Sequence, residues 1–273
     1  MSFYKKLEAS WASSKSLVCV GLDPDLQRIR KCLPETDRPF EAFGMAIIDA
    51  TAEHACAFKP QFAHYAAAGR LNELKTTIDY LRDRHPDKLI ILDYKRGDIG
   101  STAAYYAREG YEVYGADAVT LNPYMGGDTL EPFAAYEDKG AFVLCKTSNP
   151  GSDELQGLEL ASGGPLYLHV ARRAAESWNA CRNLGLVVGA TYPEELAKVR
   201  AEAPDLPILV PGIGAQGGDL AATLAAGANA QGTGLLINSS RGILYAEEGP
   251  GFAAAAAKAA EALKLEIQAC LQA

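Results

Sequence analysis

The sequence has no apolar stretch approaching the roughly 20 residues that a membrane-spanning helix needs. Its first residues, 1–8, also lack the apolar core of a signal peptide. We therefore expect a soluble, cytoplasmic protein that has no membrane partner.

The cysteines are not arranged as in a metal site. The chain has six cysteines, no two of them in C-x-x-C spacing, and its four histidines show no metal-ligand spacing either. Cys19, Cys56 and Cys145 fall in predicted buried strands. This pattern predicts reduced cysteines in the core, with neither a structural zinc site nor disulfides.

Positive charge is also in deficit. The chain has 26 Lys and Arg against 34 Asp and Glu, which gives a formal net charge of -8. Such a balance argues against nucleic acid or an anionic membrane as the main partner. Local positive groups must therefore hold any anionic ligand.

What the sequence does contain is an alternation of short apolar runs with longer helical patterns. The predicted strands lie at 17–23, 56–59, 89–95, 118–122, 141–148, 184–190, 208–210 and 232–237. Eight near-continuous apolar strands separated by helices predict a single (β/α)8 barrel domain over 1–273, since α/β barrels of about 250 residues are common. The alternative is an open doubly wound sheet. No G-x-G-x-x-G motif follows the first strand, which weakens the dinucleotide-binding form of that alternative.

The helical patterns place an opening helix at 2–14 and a closing, alanine-rich helix at 252–271. Two further helices are predicted at 40–53 and 64–83. The segment 149–164 is long for a barrel loop and rich in Gly and Ser. Two interpretations of it stay open: a loop that folds over the ligand, or a disordered excursion.

The most informative stretch is 93–102, which follows the apolar run 89–92. Side chains alternate along a strand, so Asp93 and Lys95 should project to the same face. Gly97 permits a sharp turn, and Asp98 adds a third charge before the next helix begins. The structural alternative is a helix cap at Asp98 or Ser101 together with an ordinary Asp93–Lys95 ion pair.

Other predicted strand ends also carry polar groups, and barrel active sites lie where strands end. Asp23, Lys59 and Ser148 follow three of the strands. The loops after the seventh and eighth strands are the usual phosphate site of such barrels. There Gln216 lies in the glycine-rich segment 211–218, and Arg241 in 238–242. The alternatives are a plain tight turn for the glycines and a surface ion pair for Arg241.

Taken together, these motifs resemble those of the orotidine 5′-phosphate decarboxylase family. The resemblance rests on 93–102, Lys59, Ser148 before Asn149-Pro150-Gly151, and the loops 211–218 and 238–242. Asn122-Pro123-Tyr124 and 238–241 make the chain similar to the longer bacterial subgroup. The resemblance implies a metal-free, cofactor-free decarboxylation of orotidine 5′-monophosphate to UMP by a homodimeric barrel.

The resemblance also implies roles for individual residues. The charge network of the family matches Lys59, Asp93, Lys95 and Asp98, with Asp98, Ile99 and Thr102 serving the site of the neighbouring subunit. The substrate contacts match Asp23 for the ribose, Ser148 for the pyrimidine edge, and Gln216, on a mobile lid, together with Ser240 and Arg241 for the phosphate. Many shorter members have Gly where this chain has Ser240, so this residue departs from their pattern at a position whose contact with the phosphate is made by the backbone.

The chemistry supports these roles independently. Decarboxylation at a ring carbon without an electron sink passes through a carbanion-like state, which a nearby cation stabilises. Lys95 is the candidate cation and proton donor, and Asp93 would repel the substrate carboxylate until CO₂ leaves.

Two other functions are compatible with parts of this pattern. One is a related Mg²⁺-dependent sugar-phosphate decarboxylase or aldolase, since carboxylates suit Mg²⁺. Lys59 argues against it because an ammonium group would repel a dication. The other is a non-catalytic nucleotide-phosphate-binding protein, for which a cluster of mutually constrained charges has no evident use.

Overall fold

The structure is a computed structural model, and it describes residues 1–213 and 218–272. Eight parallel strands form a closed barrel in which each strand pairs with the next along the chain and β8 pairs with β1. The strands are β1 (Val18–Leu22), β2 (Ala57–Pro60), β3 (Leu89–Arg96), β4 (Ala118–Leu121), β5 (Gly140–Lys146), β6 (Leu184–Val188), β7 (Ile208–Pro211) and β8 (Leu235–Ser239). The (β/α)8 barrel prediction is confirmed.

Helices surround this barrel. They are α1 (Phe3–Ser14), α2 (Leu26–Cys32), α3 (Pro39–Thr51), α4 (Phe62–Ala67), α5 (Leu71–Arg84), α6 (Gly100–Arg108), α7 (Glu131–Ala134), α8 (Leu166–Glu176), α9 (Pro193–Glu202), α10 (Leu220–Gly227), α11 (Arg241–Leu244) and α12 (Phe252–Gln272). Because the helices cover the outer face of the barrel, the strands are buried on both sides, as their apolar composition requires.

The opening and closing helices occur where the sequence predicts them. α12 packs against α3 through stacked Phe43 and Phe252 rings, whose centroids are 5.0 Å apart. The side chain of Phe3 in α1 lies edge-on to Phe142 of β5, at 6.0 Å between ring centroids. The first contact joins two outer helices, whereas the second lies near the amino end of β5, where a Cβ added to Gly140 would meet the Phe3 ring. Both bury aromatic area, which contributes strongly to the stability of a core.

The prediction of one long helix at 64–83 is wrong. The chain forms two helices there, α4 and α5, separated at Gly69, whose φ of 68° is left-handed and ends α4. Arg70 then directs Nη1 to the carbonyl oxygen of Asp37 and to Glu73 Oε1, both at 2.6 Å. Helical periodicity continues across the break, which is why periodicity alone does not reveal it.

All six cysteines lie in the described part of the chain and are free thiols. Burial raises the pKa of the Cys19 thiol to about 12, and burial has the same effect on Cys145. These two thiols are therefore core side chains that stay protonated. Among the described helices, none combines the length and apolar character needed to cross a membrane.

Candidate active site

A cleft of about 220 Å³ opens at the carboxyl ends of the strands. Charged and polar side chains from several strand ends line it, including Asp23, Lys59, Asp93, Lys95, Ser240 and Arg241. Parallel strands present their carboxyl ends at one face of a barrel, so residues distant in sequence converge there. The cleft thus contains six of the residues that the sequence singled out.

Asp93 is the centre of this cleft. Its side chain is almost fully buried, and Lys59 Nζ donates to Oδ2 at 2.7 Å while Lys95 Nζ donates to Oδ1 at 2.6 Å. Gln61 Nε2 donates to Oδ2 at 3.0 Å, and Thr120 Oγ1 donates to Oδ1 at 2.8 Å. A carboxylate has about four lone-pair sites, and all four here have a donor.

The electrostatics keep this cluster ionised. Burial alone would raise the pKa of Asp93, but the ammonium groups of Lys59 and Lys95 hold it well below its usual range. Burial alone would lower the pKa of Lys59, whereas the carboxylates of Asp93 and Asp23 raise it above its usual range. Asp93 is therefore an anion and Lys59 a cation at neutral pH.

Two acceptors in the cleft have no hydrogen-bond partner among the described residues. They are Asp23 Oδ1 and Asn238 Oδ1, and both atoms are buried. Buried polar atoms in folded proteins nearly always have a partner, so an orphaned acceptor in a cleft indicates a place for a donor from a ligand or water. The hydroxyl groups of a sugar supply such donors.

The opposite side of the cleft is formed by the ends of β7 and β8. Gly212, at the end of β7, has a φ of 105°, and Arg241 is exposed at the start of α11. A Cβ added to Gly21 would overlap Ser240 Oγ, so glycine at this position makes room for the Ser240 side chain. Gln216 lies outside the described residues.

The structure does not bring Asp98, Ile99 or Thr102 into this cleft. Asp98 Oδ1 accepts a hydrogen bond from the backbone N–H of Ile99 at 2.8 Å. Ile99 is 61% exposed, and Thr102 is exposed on α6. Within the described part of one subunit, these three residues lie near the protein surface and do not line the cleft.

Ser148 is half-buried just beyond β5, and its backbone and Cβ pack against Gly189, where an added Cβ would lie 2.8 Å from Ser148 Cβ. It does not line the described cleft. Lys146 holds the segment after it: Nζ contacts Ser152 Oγ at 2.8 Å and Asp153 Oδ1 at 2.6 Å. Gln156 is paired with Thr147 through its side-chain amide. The beginning of the 149–164 segment is thus a folded turn fixed to β5.

Sequence reasoning missed three residues of this region. Gln61 and Thr120 are uncharged, so only their position beside predicted strand ends could have drawn attention to them. Lys146 was counted as part of a strand, although a lysine in an apolar strand is a signal of a buried ion pair. Among the described residues, no three His, Cys, Asp or Glu side chains are grouped so that they could hold a metal ion.

Fold and cleft together define a (β/α)8 barrel with a Lys–Asp–Lys cluster, buried at Lys59 and Asp93, and with Arg241 at the rim of the same cleft, the arrangement of an enzyme acting on an anionic substrate. The chain belongs to the orotidine 5′-phosphate decarboxylase / HUMPS family, whose model matches residues 16–257.

Similar proteins cover essentially the whole chain. The orotidine 5′-phosphate decarboxylase of Bordetella pertussis is 53% identical over 270 residues, which are 98% of this chain and 99% of that protein. The structure of the Leishmania donovani OMP decarboxylase aligns over 100% of both chains with a TM-score of 0.86 and 42% identity. The UMP synthase structure of the same organism aligns with all of this chain and 57% of its own, at a TM-score of 0.88 and 44% identity.

Proposed function

We propose that this protein is an orotidine 5′-phosphate decarboxylase, a carboxy-lyase that forms UMP and CO₂ in pyrimidine biosynthesis. The observation that carries the proposal is the Asp93 carboxylate held between the ammonium groups of Lys59 and Lys95 at the centre of the cleft. Family membership gives the substrate class. The reaction is assigned to the cytoplasm, in keeping with the sequence.

The proposed reaction uses the cluster as fixed charges. The bond between C6 of the pyrimidine and its carboxylate breaks heterolytically, CO₂ leaves, and the electron pair stays on C6. Lys95 stabilises this negative charge and transfers a proton from Nζ to C6, after which water reprotonates the amine. No metal ion or organic cofactor takes part.

Asp93 and Lys59 act on either side of this step. The Asp93 carboxylate repels the substrate carboxylate in the ground state, and this repulsion disappears as CO₂ departs. Lys59 donates to the Asp93 oxygen that Lys95 does not contact, so it orients the carboxylate and keeps it ionised. The neighbouring Asp23, with its unpartnered Oδ1, is assigned to the ribose hydroxyl groups.

The remaining substrate contacts follow from the rim of the cleft. Arg241 and Ser240 are assigned to the phosphate, because a guanidinium presents paired donors to phosphate oxygens. Gln216 is assigned to the same phosphate and Ser148 to the pyrimidine edge. Binding of the phosphate, remote from C6, holds the ring against the charges and so lowers the barrier at the reacting carbon.

The proposed active unit is a homodimer in which Asp98, Ile99 and Thr102 serve the partner's site. Asp98 lies outside its own cleft and is followed by the exposed Ile99. Tyr105 on α6 and Tyr124 on the loop after β4 are 68% and 75% exposed, and α6 contacts the turn Gly127–Thr129 further along that loop. Exposed apolar side chains near polar groups are typical of a protein interface.

The test is the ultraviolet absorbance change of orotidine 5′-monophosphate mixed with purified protein, with and without excess EDTA. Conversion to UMP that EDTA leaves unchanged is the expected result. Loss of conversion in EDTA would favour a Mg²⁺-dependent relative. A UMP-induced rise in melting temperature without conversion would favour a non-catalytic nucleotide-binding protein.

A further inference from the structure

The backbone of β3 leaves regular strand geometry at the cluster. Its pairing with β4 is in register at Leu92 and Val119 and is resumed at Arg96 and Leu121, so β3 advances four positions while β4 advances two. Lys95 lies in this bulge with a left-handed φ of 48°, a conformation that residues other than glycine rarely adopt. The bulge turns the Lys95 side chain toward Asp93.

The bulge removes strand partners from two backbone amides, and one side chain replaces them. The N–H groups of Tyr94 and Lys95 both donate to Thr120 Oγ1, at 3.1 Å and 3.0 Å. Thr120 belongs to β4 and is 1% exposed. Its hydroxyl therefore accepts hydrogen bonds from the bulge, in the place of the backbone carbonyl groups that would accept them in a regular strand pair.

The hydrogen-bonding capacity of a hydroxyl settles the direction of its remaining contact. A threonine hydroxyl has two lone pairs and one proton, and both lone pairs are used by the two amides. The proton is left for Asp93 Oδ1, 2.8 Å away. Thr120 thus joins the backbone of Lys95 to the carboxylate of Asp93 through a single buried oxygen.

We propose that Thr120 is a positioning residue for the decarboxylation, fixing the Lys95 backbone and the Asp93 carboxylate relative to each other. The inference rests on the proposed function and extends it to a residue that does not line the described cleft. Thr120 is suited to this task because branching at Cβ restricts its χ1 rotation. The three hydrogen bonds of this one rigid side chain fix the Lys95 backbone and the Asp93 carboxylate. They therefore restrict the positions that the Lys95 ammonium group can take, which the flexible Lys95 side chain alone would not do.

The test compares Thr120→Val, which keeps the shape and removes the hydroxyl, with Thr120→Ser, which keeps the hydroxyl. The matched control is Thr51→Val, at another fully buried threonine, whose hydroxyl donates to the Ile47 carbonyl oxygen at 2.7 Å in α3. For each variant, kcat, KM, the UMP dissociation constant and the melting temperature are measured. Should Thr120→Val not fold, Thr120→Ala removes the same hydroxyl without adding an apolar group.

We expect Thr120→Val to lower kcat by about 10- to 100-fold, the effect of one hydrogen bond to a charged group. KM and UMP affinity should change little, Thr120→Ser should recover most of the loss, and Thr51→Val should keep the wild-type kcat. A wild-type kcat in the valine variant would overturn the inference while leaving the proposed function intact. Equal losses of kcat in Thr120→Val and Thr51→Val would also overturn it. A wild-type protein that converts no substrate would instead remove the proposed function, and the role of Thr120 with it.

Discussion

Lys59 Nζ lies 2.7 Å from Asp93 Oδ2, and the two side chains are only 4% and 8% exposed. Burying two charges is unfavourable unless each keeps its partner, so this pair is sensitive to the loss of one member. The arrangement is useful to a catalyst because charges that are already desolvated need no reorganisation during the reaction. Removing one charge of the cluster should therefore lower the free energy of unfolding by a measurable amount.

The first prediction concerns that stability. Asp93→Asn leaves the Lys59 ammonium buried without a carboxylate in contact, and we expect the free energy of unfolding to fall by about 3–5 kcal/mol. The double variant Lys59→Met/Asp93→Asn should lose less stability than Asp93→Asn alone, because the buried ammonium group is removed together with its carboxylate partner. Urea denaturation at pH 7 measures both.

The matched control is an exposed ion pair. Lys75 and Asp79 contact each other on α5 with side chains that are 42% and 51% exposed. Asp79→Asn should therefore change the free energy of unfolding by less than about 1 kcal/mol. If the double variant were as unstable as Asp93→Asn, the buried lysine would not be the cause of the loss.

The second prediction separates chemistry from stability at Lys95. This side chain is 44% exposed, so Lys95→Ala should alter the free energy of unfolding by about 1 kcal/mol or less while abolishing turnover. UMP should still bind, as a thermal-shift titration would detect. Lys75→Ala, at a lysine of similar exposure, is the control and should retain full activity. Near-full activity in Lys95→Ala would exclude Lys95 as the proton donor.

The sequence predicted the barrel because burial on both faces makes its strands continuously apolar. It also predicted that Asp93 and Lys95 share a face, and their side chains do meet, at 2.6 Å. The reason differs from the simple alternation of a strand, since Lys95 reaches Asp93 from a bulge with a left-handed backbone. Such a bulge depends on hydrogen bonds that the amides of β3 donate to Thr120 of β4, and no local pattern in β3 encodes them.

What the sequence did not reveal is contributed by neutral side chains and by backbone breaks. Thr120 and Gln61 complete the shell of Asp93, but an uncharged residue at a strand end has no distinctive pattern. The break at Gly69 was hidden because isolated glycines are tolerated inside helices. Charged residues after apolar runs were easier to recognise, because burying a charge demands a reason.

The third prediction is a pH profile. The stability contributed by Asp93, whose folded-state pKa is lowered, is fully present above its unfolded pKa near 4 and is lost only as the pH falls through the lower folded value. The contribution of Lys59, whose folded-state pKa is raised, is fully present below about pH 10.4 and is lost as the pH rises through the higher folded value. Neither group titrates between roughly pH 5 and 9.

At saturating substrate we therefore expect kcat to show no acid limb down to about pH 5. An acid limb in kcat/KM near pH 6 is expected instead from the second ionisation of the free substrate phosphate. Stopped assays across this range measure both parameters. A fall in kcat near pH 6 would contradict the assignment of Asp93 as a permanently ionised group.

The fourth prediction concerns the close approach of β1 to the end of β8. Gly21→Ala should displace Ser240, because the new Cβ would overlap Ser240 Oγ and lie 2.9 Å from Ser240 Cβ. Losing one phosphate contact should raise KM about tenfold with a smaller change in kcat. Steady-state kinetics on the phosphorylated substrate measure the effect.

The compensating variant tests the cause. Gly21→Ala/Ser240→Gly removes both Ser240 atoms that the new Cβ would meet most closely, so its KM should return toward that of Ser240→Gly alone. An unchanged KM in Gly21→Ala would show that Ser240 can move without affecting the phosphate. A double variant whose KM stays well above that of Ser240→Gly alone would place the damage elsewhere in β1.

The fifth prediction tests whether Asp98 serves the neighbouring subunit. Lys95→Ala and Asp98→Asn chains are each expected to be nearly inactive as homodimers. In a mixed dimer, the cleft of the Asp98→Asn chain keeps its own Lys95 and receives an intact Asp98 from its partner. One complete site is therefore rebuilt, while the other lacks both groups.

Random pairing of the two chains should restore about a quarter of the wild-type activity, since about half of the dimers are mixed and each has one intact site. Co-expression with two different affinity tags allows the mixed dimer to be isolated and assayed. If Asp98 acted within its own chain, the mixed dimer would contain two damaged sites and recover nothing. The control pairs a Lys95→Ala chain with an Asp93→Asn chain. Each chain then carries a damaged cluster in its own cleft, so every mixed dimer contains two defective sites and should stay inactive.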